Sequence, residues 1–420
     1  MNRKLLTTTA LLACLGTVTF AQSRAAVLTT YADIAAAAYG DAKITATALS
    51  VAVDALIAAP SDSTLAAARS AWLAARNPYQ QTEVYRFGNV IVDDWEGRVN
   101  AWPLDEGLID YVDASYGGAT DDNELAALNV IANPVLMIAG AEVDASVITP
   151  ALIADTLNEA DEVGSNVARG YHAIEFLLWG QDLNGTETGA GNRPFKDYAV
   201  GDACTNGNCD RRAQYLRAAT DLLVADLAEM TGNWAETGTA RAAVMADENA
   251  GIVAMLTGMG SLSYGEQAGE RMRLGLMLND PEEEHDCFSD NTHNSHYYDG
   301  LGVQNVYLGR YVRIDGSIVE GPSLASLVMA ADPAVDAEMQ GKLTATMDAL
   351  GAIEAAAEAG FAYDMMLAQG NAEGEALIMA GVNGLIDQTK TIERIVGVLD
   401  LDAIAFEASD SLDNPGAVFQ

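Results

Sequence analysis

The sequence contains only four histidines, and one of them, His172, lies three residues before Glu175 in an apolar segment. Side chains three positions apart lie on the same face of a helix, so this imidazole and this carboxylate would be neighbours. The surrounding residues are apolar nearly all round, which predicts a buried helix. A buried imidazole and carboxylate must be paired, hydrogen-bonded or bound to a metal. Two interpretations stay open: a metal-ligating pair, or a structural pair joined by Arg169.

The other three histidines, His285, His293 and His296, crowd one polar segment, residues 281–298. The same segment contains five carboxylates and the thiol of Cys287. Imidazole together with carboxylate suits iron, zinc or manganese better than calcium. We therefore predict that these histidines supply metal ligands. The alternative is a solvated acidic loop in which the imidazoles have no such role.

Two further carboxylates, Glu83 and Glu106, lie among aromatic and polar residues and are candidates for a missing ligand. Helix capping explains Glu106 equally well, because it follows Pro103 at a predicted helix start. No catalytic residue is predicted. If the chain hydrolyses peptides, Glu175 is the candidate base, although a hydrolytic zinc site needs about three protein ligands besides a base.

The first residues are typical of an export signal. Two basic residues precede an apolar stretch that is too short to span a membrane, and cleavage after Ala21 would make residues 1–21 a signal peptide. A lipobox ending before Cys14 is the alternative. Either way we predict a periplasmic or outer-membrane-associated protein that contacts the membrane only through this signal or a lipid anchor. In that oxidising compartment, Cys204 and Cys209 are expected to form a disulfide.

The net charge of −38 opposes binding to nucleic acid or to anionic lipid headgroups. Helical periodicity dominates the chain, as in residues 28–59 and 121–132, whereas residues 281–300 are predicted to be irregular. A hairpin-like excursion is predicted near residues 303–320.

The predicted fold class is all-α, with two packed helical bundles. We assign residues 22–180 to an N-terminal bundle, 181–209 to a Gly/Asn-rich connecting loop, and 210–420 to a C-terminal bundle. An internal echo between residues 173–182 and 391–400 is consistent with a duplication.

The segment Gly170-Tyr171-His172-Ala173-Ile174-Glu175 resembles the Gly-x-His-x-x-Glu motif of the imelysin family, and its context is similar to the iron-regulated protein A branch. That family includes an insulin-cleaving membrane peptidase and periplasmic iron-uptake proteins. The resemblance implies a two-bundle helical fold, an envelope location and expression linked to iron. It also implies that His172 and Glu175 are site residues and that an envelope iron-uptake protein is a partner.

The sequence thus leads to three hypotheses. The first is an exported protein that binds a metal, iron before zinc, for iron acquisition or homeostasis, without enzymatic activity. The second is an imelysin-type metallopeptidase that uses the same helix. The third is an envelope scaffold that binds haem or another protein.

Overall fold

The structure, a computed structural model, describes residues 23–120 and 123–419. The helices are α1 (Arg24–Ala58), α2 (Asp62–Gln80), α3 (Val90–Glu96), α4 (Glu106–Ile109), α5 (Pro150–Leu152), α6 (Gly170–Trp179), α7 (Cys209–Asn233), α8 (Thr239–Met245), α9 (Glu248–Ser261), α10 (Leu274–Leu278), α11 (Thr292–Leu308), α12 (Leu324–Ala331), α13 (Pro333–Glu358), α14 (Tyr363–Leu367), α15 (Ala372–Val398) and α16 (Asp410–Asp413). A π-helical stretch, Leu262–Arg273, joins α9 to α10. The all-α prediction is confirmed, since 65% of the molecule is helical.

The ends of the first two helices follow from their sequences. The Ser23 hydroxyl accepts a hydrogen bond from the Ala26 amide and caps α1, which ends shortly before Pro60. Ser61 and Thr64 form a capping box that starts α2. The long helix predicted over residues 28–59 is therefore confirmed, with its start a few residues earlier.

Two small antiparallel sheets interrupt the helices. Strands β1 (Val135–Ile138) and β2 (Ala141–Asp144) form one sheet, and β3 (Arg310–Val312) and β4 (Ile318–Glu320) form the other. The second sheet confirms the predicted hairpin, but residues 303–308 belong to α11. The first sheet was not predicted.

Two local predictions are wrong. Residues 123–132 form turns rather than a helix, and residues 292–300 are the first half of α11 rather than an irregular segment. In α11 the buried positions include Ser295, His296 and Asp299. Because polar side chains occupy the inward face, the apolar periodicity that marks a helix is missing there.

Two hydrophobic clusters form the core. The larger one contains residues of α1, α2, α6, α7, α9 and α11, whereas the smaller one joins the π-helical stretch to α13, α14 and α15. Helix α7 follows the connecting loop in the chain but packs on α1 and α6. The division at residues 181–209 and the duplication stay predictions.

The structure gives the bonding state of the three cysteines in the described residues. Cys204 and Cys209 form a disulfide, which confirms that prediction, and Cys287 is a buried free thiol. Within the described ranges, no helix is long and apolar enough to cross a membrane. The predicted signal peptide and lipobox lie outside the described residues.

A buried ion cluster holds the connecting loop in place. The Asp110 carboxylate accepts hydrogen bonds from Arg193 Nη1 at 2.7 Å and from Arg212 Nε at 2.6 Å, and all three side chains are about 1% exposed. Arg193 also contacts Asp197 at 3.2 Å. This cluster joins the end of α4, the connecting loop and the first turn of α7.

Replacing Asp110 by alanine is expected to lower the free energy of unfolding by about 3–5 kcal/mol, because two buried guanidinium groups lose their shared carboxylate. The measurement is urea-induced unfolding followed by circular dichroism. The matched control is Glu229→Ala, which removes a half-exposed partner of Arg98 and should cost less than about 1 kcal/mol. Equal losses in the two variants would contradict the assignment of the Asp110 cluster as a structural anchor.

Candidate metal centre

Gly170 allows α6 to begin where it does. Its φ of +86° lies in the left-handed region, and a Cβ at this position would lie 2.5 Å from the Val99 carbonyl oxygen. The Tyr171 amide donates a hydrogen bond to that same oxygen at 2.7 Å. A larger residue would therefore push α6 away from residue 99. The close approach brings His172 to Asn100.

His172 is completely buried and contacts polar groups through both ring nitrogens. Nε2 lies 3.2 Å from Asn100 Oδ1, and Nδ1 lies 3.1 Å from Glu175 Oε2. The Asn100 oxygen is an acceptor, because Arg76 Nη1 donates to it at 2.7 Å. Nε2 of His172 therefore carries the proton, and Nδ1 accepts a hydrogen bond from Glu175.

Glu175 is also held by the polar segment that contains the other histidines. Its Oε1 accepts hydrogen bonds from the Ser289 amide at 3.0 Å and from the Ser289 hydroxyl at 2.6 Å. Burial, and then the negative charge of Asp286, raises the pKa of Glu175 well above its usual value. A protonated Glu175 is the donor that Nδ1 of His172 requires.

The carboxylate of Asp286 lies at the centre of the site. Arg76 donates to its Oδ1 at 2.7 Å and to its Oδ2 at 3.3 Å, while Ser295 and Asn291 donate to Oδ2 at 2.5 and 2.7 Å. Burial would raise the pKa of Asp286, but the charge of Arg76, the neighbouring His172 and the hydrogen bonds from Ser295 and Arg76 together outweigh burial and hold that pKa below its usual value. Asp286 is therefore ionised.

His172, His285 and Asp286 form a group of potential ligands, with donor atoms all within 4.8 Å of one another. The rings of His172 and His285 are 4.8 Å apart, so the two histidine-bearing segments meet. Nε2 of His285 is buried and has no hydrogen-bond partner among the described groups. A metal ion would satisfy that nitrogen, and two imidazoles with one carboxylate are a donor set that binds iron(II) or zinc.

Both histidines are neutral, as a ligand must be. Burial, followed by the charge of Arg76, lowers the pKa of His172 to about 3. Burial, followed by the charge of Arg271, lowers the pKa of His285 well below its usual value. No proton has to leave either ring before it can coordinate a metal.

Besides Glu175, which contacts His172, four of the residues predicted as ligands lie outside this group. Glu83 accepts a hydrogen bond from Tyr79 and pairs with Arg271 at 2.9 Å. Glu106 is buried at the start of α4, with Tyr116 and Gln181 as neighbours. His293 contacts Asn294.

The fourth, His296, is buried against Tyr363 with a ring separation of 5.0 Å, and neither of its ring nitrogens has a partner in the part of the chain that the structure describes. It is electrostatically coupled to His285. His296 therefore lies near the ligand group without joining it.

Three site residues were not predicted as ligands or partners: Arg76, Asn100 and Asp286. Asp286 lies between His285 and Cys287 in a segment that was already suspected, so its position was a usable signal. Arg76 and Asn100 are distant in sequence from both histidine segments, and only the packing of α2 and α6 brings them in. Arg169, expected beside His172, pairs with Asp226 instead.

A cleft of about 460 Å³ leads from the surface to this site. Asn100, Trp102, His285, Glu266 and Arg271 are among the residues that line it. Trp102 packs on the rings of His172 and Phe288, at 5.0 and 5.6 Å. The cleft gives a small ligand a path to His285, while the aromatic rings keep His172 apart from solvent.

The model of the Imelysin family matches residues 35–392, which is most of the chain. The chain therefore belongs to the Imelysin family. No curated protein sequence matches the chain.

Among solved structures, one from Parabacteroides distasonis ATCC 8503, named as an iron-regulated protein A precursor, is similar with a TM-score of 0.64 and 19% sequence identity. The alignment covers 91% of this chain and 97% of that one. At this identity the likeness concerns the fold, and it extends over nearly the whole molecule.

Glu96, in the wall of the cleft, should make stability depend on pH. Burial, followed by the charge of Glu83, raises the pKa of Glu96 to about 7. Because the folded-state pKa is the higher one, this group stabilises the fold at low pH, and that contribution is lost as the pH rises through about 7. Glu96→Gln should therefore gain stability relative to the parent between pH 5 and pH 8, by about 2 kcal/mol.

The measurement is the difference in unfolding free energy between Glu96→Gln and the parent at both pH values, with a chelator present. Asp94→Asn, at an exposed position on the same helix, is the control and should show no such change. A Glu96→Gln difference that stays constant with pH would show that Glu96 titrates normally.

Proposed function

We propose that this protein binds a transition-metal ion, iron first, through His172, His285 and Asp286. The observation that carries the proposal is the convergence of these donor atoms within 4.8 Å in a buried site. Glu175, beside Nδ1 of His172, would become a fourth ligand on losing the proton that it donates to that nitrogen. The buried, unpartnered Nε2 of His285 supports metal binding over a purely structural ion pair, since such a pair leaves that nitrogen unsatisfied.

Iron is preferred to zinc on two grounds. Two histidines and one carboxylate with open positions are the donor set of non-haem iron(II) proteins, although zinc accepts it as well. The similar solved structure is that of a protein whose name contains "iron-regulated". Both arguments concern metal binding rather than catalysis. We therefore propose a binding role in iron acquisition or homeostasis.

The cellular setting is part of the same proposal. The predicted export signal supports a periplasmic or outer-membrane-associated location. An envelope iron-uptake protein is the partner that such a role requires. The net charge of −38 attracts cations to the surface and disfavours nucleic acid as a partner.

The metallopeptidase hypothesis has less support from the site. A hydrolytic zinc needs an ionised carboxylate or comparable group to accept a proton from its bound water. The candidate base, Glu175, is engaged in hydrogen bonds with His172 and Ser289, and its pKa is raised well above its usual value, so it fits that role less well than a free carboxylate would. The haem hypothesis needs a cavity beside the histidine that admits a porphyrin, whereas His172 is completely buried and packs on Trp102.

The test is metal content and iron(II) affinity of the chain from Gln22, produced without a histidine tag and measured anaerobically by calorimetry. The parent should bind one iron per chain. His285→Gln and His172→Ala/His285→Ala should each weaken binding, and the double variant by more than about 100-fold, because the remaining ligand cannot hold the metal alone. His293→Ala, outside the ligand group, is the matched control and should keep parental affinity.

Circular dichroism and thermal unfolding establish that each variant is folded. Parental iron affinity in a folded His172→Ala/His285→Ala protein would overturn the proposal. Stoichiometric zinc instead of iron, together with cleavage of an unfolded protein substrate that stops on chelation, would replace it with the peptidase hypothesis.

A further inference from the structure

A second group of acidic side chains comes together from three distant parts of the chain. Asp182 follows α6, Asp290 lies in the segment before α11, and Asp364 is in the first turn of α14. Their carboxylate oxygens all lie within 4.8 Å of one another. This group contains none of the residues of the His172 site, so it is a separate feature of the fold.

The acidic group has no compensating positive charge. None of the arginine or lysine side chains in the described ranges forms an ion pair with Asp182, Asp290, Asp364 or the neighbouring Glu284. The buried carboxylate of Asp286 shows the contrast, since an arginine pairs with it. Carboxylates that repel one another without a cation destabilise the fold.

The buried oxygens of this group also lack donors. Asp364 is only 1% exposed, yet no described side chain donates a hydrogen bond to either of its carboxylate oxygens, and only the backbone amides of Asp364 and Met365 among the described groups lie close enough to lower its pKa. Two further oxygens, Asp290 Oδ1 and Glu284 Oε2, are also buried and have no hydrogen-bond partner among the described groups. Buried acceptors without partners are costly, and several of them facing one another point to a bound cation.

Repulsion within the group agrees with this conclusion. Burial, followed by the charge of Asp364, raises the pKa of Asp290 to about 7. Burial and the charge of Asp182 likewise raise the pKa of Asp364 to about 6. A divalent cation would relieve the same repulsion that protonation relieves in its absence.

We propose that Asp182, Asp290 and Asp364, with Glu284 beside them, bind a calcium ion. All donors are oxygen atoms, which favours a hard cation over iron or zinc. Calcium binds oxygen at about 2.3–2.6 Å, so two oxygens on one ion are at most about 5 Å apart. The oxygens of Asp182, Asp290 and Asp364 lie within 4.8 Å of one another, which meets that condition.

Such an ion would connect the two candidate sites of the molecule. Glu284 and Asp290 flank the stretch that contains His285, Asp286 and Ser289. Calcium would therefore anchor both ends of that stretch to Asp182 and to α14. The calcium site uses different donors from the iron site. An experiment can therefore refute one of the two proposals and leave the other standing.

The test is calcium binding by the chain from Gln22, freed of metal with a chelator. Calorimetry gives the affinity, and terbium luminescence sensitised through Tyr363, next to Asp364, reports on this location. The parent should bind one calcium per chain, lose the site-specific terbium signal on calcium addition, and melt at a higher temperature with calcium. Magnesium should compete poorly, because it requires a tighter octahedral arrangement.

The variant Asp290→Asn/Asp364→Asn should bind calcium at least about 10-fold more weakly and lose the calcium-dependent rise in melting temperature. Its fold should survive, since the change removes repulsion. The matched control, Asp348→Asn/Asp402→Asn, removes the same charge from exposed positions and should behave like the parent.

Equal calcium affinity and equal terbium signal in the parent and in Asp290→Asn/Asp364→Asn would overturn the proposal. No calcium-dependent change in the parent would also overturn it. His172→Ala/His285→Ala should retain calcium binding, and loss of calcium there would show that the acidic group is not an independent site.

Discussion

The Arg76 guanidinium, buried at the junction of three segments, is the group on which the candidate metal centre depends. It donates to both oxygens of Asp286 and to the side-chain oxygen of Asn100, and its guanidinium lies 4.9 Å from the ring centroid of Tyr171. A buried cation in this position needs an anion, and a buried Asp286 needs a cation. The two charges therefore fix the loop before α11 against α2 and α6.

The same pair decides the chemistry of the neighbouring side chains. Burial first and Arg76 second lower the pKa of His172, whereas burial first and Asp286 second raise the pKa of Glu175. Each state follows from burial together with the nearest charge. The site is thus close to electrically neutral inside a protein with a net charge of −38, and the acidic excess lies elsewhere. Part of the acidic excess is the group of Asp182, Asp290 and Asp364. The fold partly buries these three carboxylates and places no basic side chain of the described residues beside them.

Two contacts between residues that are near in sequence were predicted correctly. The pairing of His172 with Glu175 follows from helical periodicity, and the Cys204–Cys209 disulfide follows from a short loop. The first half of helix α11 was not predicted to be helical, because polar side chains occupy much of its buried face. Sequence periodicity detects apolar burial, and it fails where buried polar groups bind one another or a ligand.

The sequence by itself determined the helical fold class, the family resemblance and the two histidine-bearing segments, because each is encoded in local spacing and composition. It could not decide whether those segments meet, or which carboxylate joins them. The tertiary structure places Asp286, and not Glu83 or Glu106, in the group with His172 and His285, and it brings Asp182 to Asp364 across 182 positions of the chain. Contacts between residues so far apart in the chain depend on how whole helices pack. The local sequence around each residue contains no signal for that packing.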